Sequence, residues 1–206
     1  TVTTVTPNSF LPFHTAVLER VAALPGVARV AFVWGLPLTG NKWPGTMELV
    51  GEASSERPAD RLSLPLRSVT PDYFDVMGIS LIEGRIFQPS DKADAPRVLV
   101  VNQSFAKRYF RGTNPIGRRM RFAGDAKDTL EIVGVVSDTR TEALSQLAEP
   151  EVYLPFWQSG AFSKHLVLRA TSDPRALTAL VRREVRAVDP TAAVEHATTM
   201  EDIRRE

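Results

Sequence analysis

The sequence predicts a mixed α/β fold of the α+β kind, in which one α/β layer of strand–helix–strand units carries a smaller inserted mixed subdomain. Three observations carry this prediction. A helix-period run followed by an apolar extended run opens the chain, a strand, a helix and a strand close it between His165 and Glu195, and the middle has a different rhythm.

Thr1 to Thr6 read as an extended lead-in. Ser9 suits a helix cap with Pro12 in the first turn, and Val17, Leu18, Val21 and Leu24 recur at helical spacing until Pro25-Gly26 stops them. Val27 to Trp34 alternates poorly but is rich in valine, alanine and aromatic residues, which predicts a strand buried on both faces. Leu36 to Gly45 reads as a loop, Thr46 to Val50 as a strand, and Glu52 to Arg61 as a polar surface connection.

A short helix is expected after the extended run Leu64 to Val69. Thr70 suits its N-cap, Pro71 its first position and Asp72 its positive end, and Gly78 can close it in the left-handed conformation. Tyr73, Phe74 and Met77 then share one face. Such a helix is too short to stand alone and must dock on a sheet supplied by Leu64 to Val69 and Ile79 to Ile82.

Beyond the polar loop Gln88 to Pro96, the apolar run Val98 to Val101 enters a helix capped by Asn102, with Phe105, Ala106, Tyr109 and Phe110 on one side. Gly112 and Asn114-Pro115 end it. Arg118 to Phe122 and Leu130 to Val136 form a hairpin around Gly124-Asp125, Ser137 to Pro150 reads as loop with one helical turn, and Val152 to Phe156 is a strand. The strand His165 to Ala170 feeds a helix capped by Asp173 and begun by Pro174, whose stripe Leu177, Leu180, Val181, Val185 and Val188 ends at Asp189-Pro190. After the strand Ala192 to Glu195, Thr198 to Glu206 reads as a capped helix cut short.

Twenty-five basic and 24 acidic residues leave a net charge of +1, so no global field holds nucleic acid. The absence of cysteine excludes zinc–thiolate sites, disulfides and cysteine nucleophiles. The longest uncharged apolar run, Val30 to Asn41, is about a dozen residues and contains Pro37, short of the ~20 that span a bilayer. No signal-peptide pattern opens the sequence, which reads as a soluble whole protein or a segment of a larger one.

No reaction centre is expected, and no catalytic, cofactor-binding or metal-binding residue is assigned. His14, His165 and His196 fall on three separate elements without paired ligand spacing. Ser104 has the strand-to-helix setting of a nucleophile elbow, but Gln103 and Phe105 flank it where small residues are needed. Asp91 and Asp94 could pair for acid–base work, yet Lys92 lies between them in a polar stretch that reads as a solvated loop. Lys107, Arg108, Arg111, Arg118, Arg119 and Arg121 are the one basic concentration, either a wet face or a contact for lipid headgroups or an acidic partner. Trp34, Trp43 and Trp157 fit core anchoring as well as a groove or interface.

The ordered series Val69-Thr70-Pro71-Asp72-Tyr73-Phe74, Met77-Gly78-Ile79, Gly84-Arg85-Ile86-Phe87, Val98-Leu99-Val100-Val101-Asn102, Ala106, Tyr109-Phe110, Pro115-Ile116-Gly117, Ile132-Val133-Gly134-Val135-Val136 and Glu151-Val152-Tyr153-Leu154-Pro155 resembles the MacB-like periplasmic core domain of FtsX-like ABC transporter permeases. Leu24-Pro25-Gly26-Val27 and Leu36-Pro37-Leu38 extend the likeness over nearly the whole chain. The resemblance implies a non-catalytic domain outside the cytoplasmic membrane, held between the first and second membrane helices of the permease. It implies a porter-like subdomain formed by residues 1–86 and 157–206, with 87–156 as the smaller insert.

Implied partners are the rest of the permease with its flanking membrane helices, a cytoplasmic ATPase domain or subunit, a periplasmic adaptor or cargo, and a second copy in a homodimer. Members of the family export substrates such as peptides, macrolides or lipoproteins, or transmit ATPase-driven motion. No cofactor is implied. The alternative class is a free-standing small-molecule-binding or hydrolytic α/β domain using Ser104 or the loop carboxylates. A lever between membrane helices also predicts that the two ends of the domain lie side by side.

Overall fold

The fold is read from a computed structural model that describes residues 2–6, 11–37, 43–51, 61–125, 127–139, 148–159 and 165–203. β1 (Val2–Thr6), α1 (Leu11–Ala22) and β2 (Val27–Trp34) form one strand–helix–strand unit, and β10 (His165–Ala170), α4 (Pro174–Val188) and β11 (Ala193–Thr198) form another. The two interleave in the antiparallel order β11-β1-β10-β2, so each pair of helix-linked strands is parallel with a foreign strand between them. This is the split βαβ pattern of ferredoxin-like layers.

α1 and α4 cover one face of that layer. Phe13, Val17 and Val21 of α1 and Leu177, Val181 and Val185 of α4 bury against Val30, Phe32, Leu166 and Leu168. The opposite face, Ala31, Val33 and Val167, packs on α2 (Tyr73–Met77), with Met200 and Ile203 of α5 (Met200–Ile203) at its margin. Both faces are therefore covered, which explains why β2 lacks a period-two pattern. The N-terminal lead-in proves to be a full strand: Val2 lies opposite Thr198 and Thr6 opposite Ala193, placing the first and last strands side by side.

Everything else lies between β2 and β10 in sequence. β4 (Leu62–Val69) runs first as part of a ring and joins the layer only at its end, where Ser68 and Val69 pair with Trp34 and Val33 of β2. In order, β4 pairs with β3 (Trp43–Leu49), which pairs with β7 (Arg119–Phe122), then β8 (Thr129–Val136), β6 (Val98–Asn102) and β9 (Val152–Pro155), and β9 returns to β4. The β4–β9 and β6–β8 pairs are parallel, so the sheet is mixed. Met47, Leu64, Leu66, Leu99, Val101, Met120, Leu130, Val152 and Leu154 fill the ring, together with Phe105 and Phe110 of α3 (Gln103–Phe110). β5 (Leu81–Gly84) pairs with the end of β8 that β7 leaves uncovered.

Several expected signals shift on inspection. α2 starts two residues later than the Thr70 signal suggests, with Asp72 at its N-cap and no side-chain cap bond, while Gly78 closes it at φ 70° as expected. Thr70 is used differently. Its Oγ1 accepts the Phe32 N–H at 3.0 Å, and its own N–H donates to the Phe32 carbonyl, so it extends the β2–β4 joint by one rung. Thr70→Val should strand the buried Phe32 N–H and cost about 1–3 kcal/mol in a denaturant titration. A change below about 0.3 kcal/mol would show that the hydroxyl carries no such burden.

The expected strand Thr46 to Val50 begins earlier, at Trp43, and the extended run Ile79 to Ile82 becomes Leu81–Gly84. α5 is capped by Thr199, whose Oγ1 accepts the Asp202 N–H at 3.1 Å. The Ser9 cap, most of the polar run Glu52 to Arg61 and the helical turn expected within Ser137 to Pro150 fall largely outside the described residues.

Candidate functional site at the joint between layer and ring

β4 and β9 run side by side where layer and ring meet, and a charge that an apolar strand would not need sits on β4 and another directly before β9. Arg67 and Glu151 are 3% and 2% exposed. The guanidinium donates to Glu151 Oε1 through Nε at 3.2 Å and Nη2 at 2.7 Å. Tyr153 Oη donates to Oε2 at 2.9 Å, and Thr139 Oγ1 does so at 3.2 Å. Both carboxylate oxygens are thus occupied, which is the condition for tolerating a buried ion pair.

Asn102 fixes the backbone of the same residue. Its Oδ1 accepts the Glu151 N–H at 2.9 Å and also the Phe105 N–H at 3.0 Å, capping α3, while its Nδ2 donates to the Glu149 carbonyl. One side chain therefore ties the ring helix to the charged strand. Ser68, next to Arg67, shares a 2.6 Å hydroxyl contact with Ser159 just beyond β9. Tyr73 of α2 reaches the same region with its ring against Tyr153 and Phe74, and its hydroxyl is buried without a hydrogen-bond partner.

Burial governs the protonation of this cluster. It pushes the Tyr73 and Tyr153 phenols up, and the nearby Glu151 charge adds to the effect. Burial alone would favour losing the Arg67 proton. The charge and hydrogen bond of Glu151, helped by the two tyrosines, outweigh it and hold the guanidinium charged. The result is a buried ion pair in which Glu151 holds the Arg67 guanidinium charged.

The residues singled out in the sequence lie elsewhere. Ser104 sits in the first turn of α3, where its N–H and hydroxyl donate to the two carboxylate oxygens of Asp138. Asp91 is not a solvated loop residue. It is 5% exposed, accepts Arg85 through both oxygens at 2.8 and 3.0 Å, and takes the Gln88 N–H. Asp94 remains exposed.

His14 is buried between the rings of Phe13, Phe32 and Phe156, and His165 begins β10; the His196 side chain is not described. Trp34 and Trp43 pack together at 4.5 Å across the joint, and Trp157 packs on Phe156. Of the basic group, Arg121 is committed to the buried Glu48, which Arg61 also contacts. Lys107, Arg108, Arg111, Arg118 and Arg119 are exposed.

These pairs set an acid dependence. Hydrogen bonding and charge from Arg121, then Arg61, hold Glu48 below the usual carboxylate range despite burial. Burial opposes the Asp91 charge, but Arg85 and the Gln88 N–H together pull its carboxyl down. Such groups stay ionised further down the pH scale in the folded than in the unfolded chain. Stability should therefore be flat above about pH 5 and fall as pH drops through roughly 4, and Asp91→Asn should make that slope shallower in urea titrations at several pH values. An unchanged slope would assign the acid loss to other groups.

The model for the MacB-like periplasmic core domain matches residues 1–199. The chain belongs to that family. Among curated relatives, the macrolide export ATP-binding/permease protein MacB of Mannheimia succiniciproducens is 32% identical over 94 residues, which is 46% of this chain and 14% of that protein. MacB of Aggregatibacter actinomycetemcomitans is 34% identical over 76 residues, covering 37% of this chain and 11% of that protein. This MacB-like domain thus spans only a small part of such relatives.

The crystal structure of the periplasmic region of MacB from Actinobacillus actinomycetemcomitans has the same fold, with a TM-score of 0.65 at 15% identity over 98% of this chain and 91% of that one. The extracellular domain of the noncanonic ABC-type transporter YknZ from Gram-positive bacteria follows at 0.60 and 16%, covering 95% of this chain and all of the other. Among the described residues of the MacB-like domain, no helix is long and apolar enough to cross a membrane.

Sequence reasoning passed over the Arg67–Glu151 clasp. The signal available was one basic residue inside the apolar run Leu64 to Val69 and one acid directly before Val152 to Phe156. Nothing local pairs two residues so far apart in sequence.

Proposed function

We propose that this domain is a non-catalytic lever of an ABC-type permease, moving as one body when membrane helices shift and presenting its ring to a cargo or partner. The observation that carries the reading is the joint. β4 belongs to layer and ring at once, and the Arg67–Glu151 clasp locks it to β9 at the crossing. A displacement of the layer is then passed on to the ring instead of being absorbed between them. The side-by-side placement of β1 and β11, at the edge of the layer opposite to the ring, supports attachment at one end and contact at the other.

In this reading the partners are the flanking membrane helices, a cytoplasmic ATPase domain or subunit, and an adaptor or cargo, with a second copy completing the transporter. Nucleic acid has no place in it. The chain divides mechanically into the porter-like layer, drawn from residues 1–86 and 157–206, and the smaller insert 87–156. Hydrogen bonding puts Trp43–Leu49 and Leu62–Val69 in the ring as well.

The test uses the full permease. These 206 residues contain no cysteine, so once any cysteine elsewhere in the permease is replaced, spin labels at Ala187 on the layer and Arg119 on the ring report directly. The distance between them should stay constant on ATP addition, while each label moves relative to its counterpart in the second copy. A large change within one domain, or immobility of both labels, would overturn the proposal.

A further inference from the structure

Tyr73 is the buried group that the joint leaves unused. It is fully buried, and its hydroxyl has no hydrogen-bond partner among the described residues, although its ring packs against Phe74 and Tyr153. A phenylalanine would fill the same space without stranding a buried donor, so the oxygen needs a reason of its own.

α2 carries this residue between the two parts of the domain. The helix shares one core cluster with Ala31, Val33 and Val167 of the layer and with Val98, Val100, Val136 and Tyr153 of the ring. Its backbone is tied to the layer: Arg169 of β10 donates to the Val76 carbonyl at 3.2 Å, and Thr70, just before the helix, is bonded to Phe32. Its aromatic side chains reach the ring, with the centres of Phe74 and Tyr73 at 5.2 and 6.3 Å from that of Tyr153.

Beyond burial, the charges of Arg67 and Glu151 both act on the Tyr73 phenol, which sets it beside the clasp. The carboxylate there is full. Oε1 takes Nε and Nη2 of Arg67, Oε2 takes the Tyr153 and Thr139 hydroxyls, and a carboxylate offers about four acceptor positions. Tyr73 is thus a fifth donor for four places. Displacing Arg67 would strand a buried charge, and displacing Tyr153 would strand a fully buried hydroxyl. Thr139 is the replaceable one. Its bond is 3.2 Å long, it is only half-buried, and its hydroxyl lies within hydrogen-bonding reach of Tyr153 as a second acceptor.

We propose that Tyr73 and Thr139 are alternative donors to Glu151, giving the joint two hydrogen-bonded arrangements. In the one seen here Thr139, just beyond β8, holds Oε2; in the other Tyr73 takes that place and Thr139 turns to the Tyr153 oxygen. Only hydrogen bonds are exchanged, and every proton stays on its own oxygen. The exchange moves one bond from within the ring to the seam between α2 and the ring, so a shift of α2 with the layer is met without breaking the Arg67–Glu151 pair. It concerns bonds inside this chain and stands apart from the lever reading.

The test is a double-mutant cycle of Tyr73→Phe and Thr139→Val, followed by urea unfolding of the 206-residue chain. Each single variant should raise the unfolding constant by less than about threefold, because the remaining hydroxyl serves Glu151. The double variant should raise it at least about tenfold beyond the product of the two single changes, and Tyr73→Phe/Thr139→Ser, which restores a hydroxyl, should stay within about threefold of the wild-type value.

Any smaller coupling would show that the two hydroxyls do not share the carboxylate and would overturn the proposal. A larger loss from Tyr73→Phe alone would also overturn it, by giving the phenol a standing partner elsewhere. So would a larger loss from Thr139→Val alone, which would show that Tyr73 does not step in.

Discussion

Glu151→Ala should lower the unfolding free energy by about 3–5 kcal/mol, the cost of leaving a buried charge without its partner. Arg67 is only 3% exposed, and the alanine would also release Tyr153 Oη and Thr139. Arg67→Met/Glu151→Leu removes both charges and fills similar volume, so it should recover most of that loss. Equilibrium urea titrations of the two variants separate the cases. Trp34 and Trp43, one in the layer and one in the ring, give a local fluorescence reading of whether the joint loosens before the rest melts. A single-variant loss under about 1 kcal/mol would mean that water reaches the cluster and that the clasp does not bind layer to ring.

Gly134→Ala should be as damaging, by about 3 kcal/mol or more, through sterics and not charge. A Cβ on Gly134 would lie 2.0 Å from the Arg85 carbonyl oxygen. Across the ladder, Gly84 combines φ +75° with a would-be Cβ 2.2 Å from the Val133 carbonyl oxygen. Both obstacles are backbone, which cannot swing aside as a side chain does. The two glycines face each other where β5 joins β8, so either substitution should detach β5 first. Amide exchange accelerated over residues 80–85, with α1 and α4 unaffected, is the expected pattern, and a variant of wild-type stability would show that β8 can shift to make room.

The helices were the legible part of this fold. The stripe and caps of α4, the Asn102 cap and the Gly78 stop each rest on residues within one or two turns of one another, where spacing carries the information. Strands His165 to Ala170 and Val27 to Trp34 were equally plain from their apolar content. Closure of the ring was not, because the β4–β9 contact joins Leu66 to Val152 and no local period encodes that pairing. Thr70 misled for a related reason. A threonine before Pro-Asp resembles a cap, but a neighbouring strand claimed its hydroxyl. Asp91 looked solvated because its neighbours are polar, and Arg85, six residues away across a turn, decided otherwise. The candidate site was hidden most completely, being made of one charge on a strand and another directly before a distant strand.

The pairing of Val2 with Thr198 also determines which loads this domain withstands. Hydrogen bonds between antiparallel strands lie across the strand axis. Tension that draws Val2 and Thr198 apart across the strands would therefore open the β1–β11 seam like a zipper, one rung after another. Thrust directed along the strands would instead load every rung together. The β1–β11 seam is thus stronger against loads along its strands than against the separation of Val2 from Thr198.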